Sequence, residues 1–151
     1  MIRYEFRNLD NDTVSQLIDL SHLWVEEDCS YGMVVNEKED LKEPLAVALD
    51  GEKIIAYGFG AYYQQQRQTS CIPVGSRCFS LDELYVLPQY RGQGIGKALF
   101  RMMEQNVSEK CEFVTLTTST KNYKAILHLY VEELGMDFHN AFLIKKTGDN
   151  L

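Results

Sequence analysis

The stretch Leu84-Tyr85-Val86-Leu87-Pro88-Gln89-Tyr90-Arg91-Gly92-Gln93-Gly94-Ile95-Gly96-Lys97-Ala98-Leu99 runs from an apolar strand through a proline and three alternating glycines into a helix. Pro88 ends the strand, because it lacks a backbone donor and restricts the residue before it. Ile95, Leu99, Met102 and Met103 then recur as the apolar face of a helix expected over residues 94–107. Between strand and helix, Gly92, Gly94 and Gly96 let the backbone approach a bulky anion, while the first helical amides point outward without intrahelical partners. Such a terminus binds phosphate, and Arg91 and Lys97 bring positive charge beside it. A glycine-rich turn that merely connects two elements would read the same if taken alone.

Working outward, residues 79–87 alternate as a strand, with Leu81, Glu83, Tyr85 and Leu87 on one side and Asp82, Leu84 and Val86 on the other. Residues 113–118 read as another strand, so strand, helix and strand form a crossover unit with parallel strands. Upstream, residues 45–49 and 54–63 form a hairpin through Asp50-Gly51, and the polar run 64–77, with Pro73 and Gly75, is a loop. Residues 2–7 alternate as a half-buried first strand. Thr13 with Gln16 then makes a capping box for a helix whose stripe is Val14, Leu17, Ile18, Leu20, Leu23 and Trp24. Residues 36–43 suggest a short second helix. Thr120 or Asn122 would cap a last helix ending near Gly135, and residues 141–146 read as a closing strand. The pattern is one α+β domain with a mixed sheet spanning residues 1–151.

With 151 residues, 45% hydrophobic and 25% charged, the chain has the composition of a globular domain that can bury one core without disulfides or metals. No apolar run is long enough to span a bilayer, and the first ten residues mix charges among apolar positions unlike a secretory signal, so no membrane partner and a cytoplasmic location are expected. Cys29, Cys71, Cys78 and Cys111 form no Cys-x-x-Cys pair, and His22, His128 and His139 stand alone and read as structural or surface residues; no metal is expected. A net charge of −7 argues against a general nucleic-acid binder, and it suits a cationic acceptor.

Spacing separates the glycine loop from two better-known phosphate loops. A dinucleotide fingerprint needs glycine where Lys97 stands, and a Walker A loop needs glycine at Arg91 and Ser or Thr at Ala98. The arrangement of Arg91, Gly94 and Gly96 resembles instead the central motif of the GNAT superfamily of acyl-CoA N-acyltransferases: Arg or Gln, two residues, Gly, one residue, then Gly or Ala. Residues 84–90 resemble that family's fourth strand and turn, and the inferred order of elements is similar over nearly the whole chain.

The resemblance implies a single-domain fold with a central mixed, mostly antiparallel sheet splayed at a parallel strand pair and flanked by helices. It also implies acetyl-CoA as co-substrate: backbone groups of Leu84, Tyr85 and Val86 pair with the pantetheine arm like an added strand, and amides of Arg91, Gly92, Gln93, Gly94, Ile95 and Gly96 hold the diphosphate, with Lys97 beside them. Asn122 resembles the family's asparagine that contacts that arm, with Ala125 three residues on; a plain helix cap is the alternative.

An alkyl ammonium must lose a proton before it can attack a thioester. Glu83, on the face of its strand opposite Leu84 and Val86, could accept it; a solvated strand carboxylate is the alternative. The resemblance implies an oxyanion donor in the backbone near Val86 and a tyrosine that protonates the leaving thiolate. Tyr130 is the candidate, but it stands five residues after Ala125 and five before Gly135, where the family has four and four. Either the helix is irregular there, or Tyr130 is a core residue. Trp24, Glu27, Asp28 and Tyr31, with Glu26, could wall a site for a cationic amine or form a solvated acidic helix end. The expected activity is acetyl transfer from acetyl-CoA to a primary amine of a small molecule. A protein or peptide N-acetyltransferase and a non-catalytic acyl-CoA sensor are the alternatives, and family members are often homodimers.

Overall fold

The computed structural model describes residues 1–148, so the last three positions of the expected 1–151 domain lie outside the described residues. A five-stranded sheet, in the order β1-β2-β3-β4-β5, consists of β1 (Ile2–Arg7), β2 (Leu45–Asp50), β3 (Lys53–Gln64), β4 (Arg77–Val86) and β5 (Phe113–Thr115). Successive pairs are antiparallel except β4 and β5, which run parallel. Among the described residues, three α-helices flank it: α1 (Asn11–Glu27), α2 (Ile95–Val107) and α3 (Tyr123–Leu127). β2 and the first half of β3 are buried almost without interruption, from Leu45 to Leu49 and Ile54 to Phe59. That pattern follows from helices covering both faces, which removes the polar alternation of a half-exposed sheet. Burying one Leu or Ile side chain contributes about 1.5–3 kcal/mol, so this central pair dominates the core.

α1 begins one residue after Asp10, whose Oδ1 accepts the Thr13 amide at 2.8 Å. The cap is therefore Asp10 and not Thr13, because Asp10 already occupies the position three residues before the amide it satisfies. Gln16 does other work: its Oε1 accepts the Ile54 amide at 2.8 Å and docks α1 on the hairpin between β2 and β3. Gly51 makes that hairpin turn with a φ of 64°. The expected helix over 36–43 shrinks to one 3-10 turn, Lys38–Asp40. Glu37 and Asp40 cap it reciprocally, and the chain then extends toward Pro44, which disfavours helix at the residue before it.

Two features open the sheet. Phe59 pairs with Glu83 and Gly60 with Leu81, so Asp82 is an extra residue bulged out of β4. Gly60 is needed there: a Cβ would lie 1.9 Å from the Ser80 carbonyl oxygen. β5 then pairs with β4 only from Cys78↔Phe113 to Ser80↔Thr115, and the two strands part. The strand expected to reach residue 118 stops at Thr115 because the following residues turn to meet the end of α1, where Ser30 bridges Thr120.

The closing strand expected at 141–146 does not form. β5 contributes a ladder of only three residues before leaving the sheet, too short an edge to template another strand, and Phe142, Leu143 and Ile144 stand 87%, 89% and 85% exposed. The last helix also departs from expectation: α3 is short and continues as a π-helical turn, His128–Glu133.

Candidate active site

After β4 the chain makes a 3-10 turn, Pro88–Tyr90, pinned to the hairpin by Tyr90 Oη donating to Asp50 at 2.6 Å. Gly92 and Gly94 both take a φ of 78°, in the left-handed region that favours glycine. Gly94 caps α2 without a side chain, and the first intrahelical bond runs from Ala98 to its carbonyl at 3.0 Å. The amides of Ile95, Gly96 and Lys97 thus precede the helical ladder. A Cβ on Gly92 or Gly94 would meet nothing within 4 Å, so the loop faces open space, whereas one on Gly96 would lie 3.7 Å from Val86 Cγ2. Lys97 carries no ion pair among the described residues.

The free edge of β4 lies alongside. Leu87 donates to the Ile55 carbonyl at 2.9 Å, so by strand alternation the backbone groups of Glu83, Tyr85 and Leu87 face β3, and those of Leu84 and Val86 face the gap left by β5. Their side chains divide as well: Val86 packs toward α2, while Glu83 and Tyr85 point to the face covered by α1. One of the edge groups is engaged already, since Arg91 Nε donates to the Val86 carbonyl at 2.8 Å.

Arg91 turns its guanidinium away from the glycine loop. Its two terminal nitrogens reach the Glu27 carboxylate at 2.7 and 3.0 Å, and it lies 5.5 Å from the centre of the Tyr85 ring. Tyr85 donates its hydroxyl to Glu27 and stacks on Trp24 at 4.9 Å. Burial, and then the Glu27 carboxylate, hold the Tyr85 hydroxyl well above its ordinary pKa, so it remains a donor. Asp28, with a φ of 52°, pairs with Lys121 at 2.9 Å, and Lys121 lies 5.3 Å from the centre of the Tyr31 ring. Backbone bonds from Tyr31 to Ser119 and from Lys121 to Cys29, both 2.8 Å, complete a strap between the end of α1 and the segment after β5. Trp24, Glu27, Asp28 and Tyr31 are therefore brought together, with both acidic residues of this set paired.

Glu83 sits half-buried with one oxygen occupied. Oε1 accepts from Asn36 Nδ2 at 2.9 Å and from Tyr57 Oη at 2.8 Å. Burial raises its pKa, the two hydrogen bonds oppose that rise, and Asp40 and Asp82 add to it. Oε2 has no hydrogen bond among the described residues; because no buried side-chain oxygen there is left unpaired, Oε2 reaches solvent.

Tyr130 lies in the π-helical turn, packed against Phe100 at 5.9 Å between ring centres. Leu134 donates to the Leu129 carbonyl five residues back, and Met136 to the Tyr130 carbonyl, with Gly135 at a φ of 73°. A π turn closes over five residues what an α turn closes over four, which accounts physically for the spacing of five on the side of Gly135. Burial pushes the Tyr130 hydroxyl up to about 12, and the same reasoning as for Oε2 leaves it in contact with solvent. Asn122 occupies the cap position of α3, but its side chain makes no capping bond, so it is exposed and free.

Asn36 and Tyr57 were not singled out in the sequence. Asn36 lies in a charged stretch and Tyr57 in an apolar strand run; the β3–β4 register, with Tyr57 opposite Tyr85, brings Tyr57 to Glu83, and the bond from the Asn36 amide to Ser21 Oγ on α1 holds Asn36 there.

A sequence profile described as the acetyltransferase (GNAT) family matches residues 6–136. Solved structures of the same fold include a predicted acetyltransferase from Clostridium acetobutylicum determined with acetyl-CoA, 17% identical, with 97% of this chain and 96% of that one covered and a TM-score of 0.67. An aminoglycoside acetyltransferase from an uncultured soil metagenomic sample is 19% identical over 97% of each chain, at a TM-score of 0.66. A ribosomal-protein-alanine N-acetyltransferase from Brucella melitensis biovar Abortus 2308 is 16% identical, with 97% and 100% covered, at 0.64. No curated protein sequence gives a significant match. These identities show a shared fold, and the acceptors differ from one structure to the next. The profile match, spanning β2 to β5, the glycine loop and the π-helical turn, shows that this chain belongs to the acetyltransferase (GNAT) family.

Proposed function

We propose that the chain transfers an acetyl group from acetyl-CoA to a primary amine of a small-molecule acceptor. The observation that carries this is the juxtaposition of an open helix terminus at Gly94, a free strand edge at Leu84 and Val86, and a half-buried carboxylate at Glu83 on the opposite face of the same strand. The residues present suit the co-substrate. Amides around Gly92 to Lys97 would hold the diphosphate, with Gln93 and Ile95 in the same loop. The Leu84 and Val86 edge would pair with the pantetheine amides as an added strand does, and the free Asn122 side chain would reach the same arm. Bound there, acetyl-CoA supplies an activated carbonyl.

Glu83 Oε2 takes the proton that the ammonium must lose. The sign follows from its raised pKa: the carboxylate is ionised above that value, and activity falls as the pH drops through it. The Val86 amide donates to the oxygen that gains negative charge. Tyr130, protonated well past neutrality, gives a proton to the departing sulfur.

Two features support a compact amine over a polycation or a polypeptide. Glu27 and Asp28 are paired with Arg91 and Lys121, leaving Glu83 and Glu26 as the carboxylates an amine could meet. The strap between residues 29–31 and 119–121 ties the end of α1 to the segment after β5, which favours an acceptor small enough to leave those bonds intact. Thiol release from acetyl-CoA, measured with a panel of primary amines and of peptides, tests this: small amines should drive release and peptides should not. Tight acetyl-CoA binding without release from any acceptor would favour a sensor, and release driven by peptides alone would favour a protein-modifying enzyme.

A further inference from the structure

We propose that Asn36 and Tyr57 are positioning residues for Glu83: donors from two separate elements that fix one carboxylate oxygen so that the other is presented as proton acceptor. This rests on the assignment of Glu83 as the base. Both donors reach Oε1, Asn36 at 2.9 Å and Tyr57 at 2.8 Å, and neither belongs to the strand that carries Glu83. Tyr57 is fully buried in the middle of β3. Asn36, 6% exposed, comes from the segment between α1 and β2. It is held in turn by its own amide donating to Ser21 Oγ at 3.0 Å, and buried Ser21 donates to the Ile18 carbonyl at 2.7 Å. A continuous set of hydrogen bonds thus runs from α1 through Asn36 to Glu83.

The convergence has a chemical consequence. Every other group acting on Glu83 favours its neutral form: burial first, then Asp40 from the 3-10 turn and Asp82 from the neighbouring bulge. Among the described residues no cation compensates, because Lys42 reaches Asp82 at 2.6 Å instead, and Tyr85, on the same face, is committed to Glu27. Without its two neutral donors, Glu83 would be pushed further toward its neutral form, and less of it would be available to accept a proton. With them it ionises while remaining more basic than a solvated carboxylate. Both donors on Oε1 also leave Oε2 as the single free, solvent-reaching oxygen, which orients the accepting lone pair.

The test is Tyr57→Phe and Asn36→Ala, each read in two ways: a 13C NMR titration of the Glu83 carboxyl, which needs no turnover, and the pH profile of kcat/KM with the best amine. Each variant should raise the Glu83 pKa, and the acid limb should follow by about one pH unit, so turnover below the limb falls about tenfold. Acetyl-CoA affinity should not change. A Glu83 titration unmoved in both variants overturns the positioning role, whatever the enzyme acetylates. A shifted titration with an unmoved acid limb removes Glu83 as the base, and the proposal falls with the assignment beneath it. Should Tyr57→Phe disturb the core, Asn36→Ala carries the same two readouts from a residue outside the sheet.

Discussion

On the α2 face of β4 the site is made of backbone: glycine turns, amides ahead of a helical ladder and an unpaired strand edge. On the α1 face it is made of side chains, with Trp24 and Glu27 from α1, Asn36 from the loop after it, Tyr57 from β3, Glu83 and Tyr85 from β4, and Arg91 from the turn. A backbone site tolerates side-chain change but not a change of φ. A side-chain site tolerates local backbone variation but fails when one donor or acceptor is lost. The two halves are joined by Arg91, whose backbone belongs to the first and whose guanidinium, on Glu27 and the Val86 carbonyl, belongs to the second.

The comparison breaks most sharply at Glu83. Glu83→Gln keeps the size of the side chain and cannot take a proton, so kcat should fall by about a thousandfold, within the range general bases contribute, while calorimetric acetyl-CoA affinity stays the same. A loss of affinity comparable to the loss of turnover would show that the two faces are not separate.

Gly94→Val attacks the other half. A β-branched residue at a φ of 78° costs about 1–2 kcal/mol in the left-handed region. Its side chain would fill the open face of the loop rather than clash with the protein. Losing two charge-assisted bonds to the diphosphate would remove about 3 kcal/mol of binding, about a hundredfold. Circular dichroism should show the fold retained.

The same division explains what could be read from the sequence. A backbone site imposes its composition locally, so Arg91, Gly94 and Gly96 announce it over six residues. The α1 face depends on register. Glu83 was legible as a strand carboxylate, but Tyr57 becomes its neighbour only when β3 pairs with β4, and Asn36 only when the segment after α1 docks on Ser21. Acidic residues at the end of α1 looked available because their counter-ions, Arg91 and Lys121, lie 64 and 93 residues away in sequence. Residues 141–146 have the composition of a strand, yet composition cannot tell that β5 leaves the sheet after three paired residues. The shifted spacing of Tyr130 was visible as an anomaly, and its cause, a π-helical turn, lies in hydrogen bonding that no residue type specifies.

Tyr130 comes next, with an expected effect smaller than that of either half. Tyr130→Phe preserves the packing on Phe100 and removes the hydroxyl alone. Its pKa of about 12 keeps the phenol protonated across the working range, so the native enzyme should show no basic limb from this group below about pH 11. If Tyr130 protonates the sulfur, kcat should drop about tenfold with acetyl-CoA affinity unchanged; an unaltered kcat would assign the ring to the core.

The smallest effect belongs to the strap, where the contacts are exposed. Asp28 and Lys121 pair at 2.9 Å, but the Asp28 side chain is 83% exposed and screened by solvent and salt. Lys121→Ala should therefore change the amine KM by less than about fivefold, with kcat and acetyl-CoA affinity untouched. The sign separates two roles for the strap. If it walls the acceptor, loosening it raises KM for small amines and the change shrinks in high salt, as the native pair is screened too. If it excludes longer acceptors, the same variant lowers the barrier to peptides, and acetylation of an N-terminal peptide should rise from the native background. Because the backbone bonds from Tyr31 and Lys121 remain in the variant, a null result in both assays would place the strap's hold in those two bonds rather than in the ion pair.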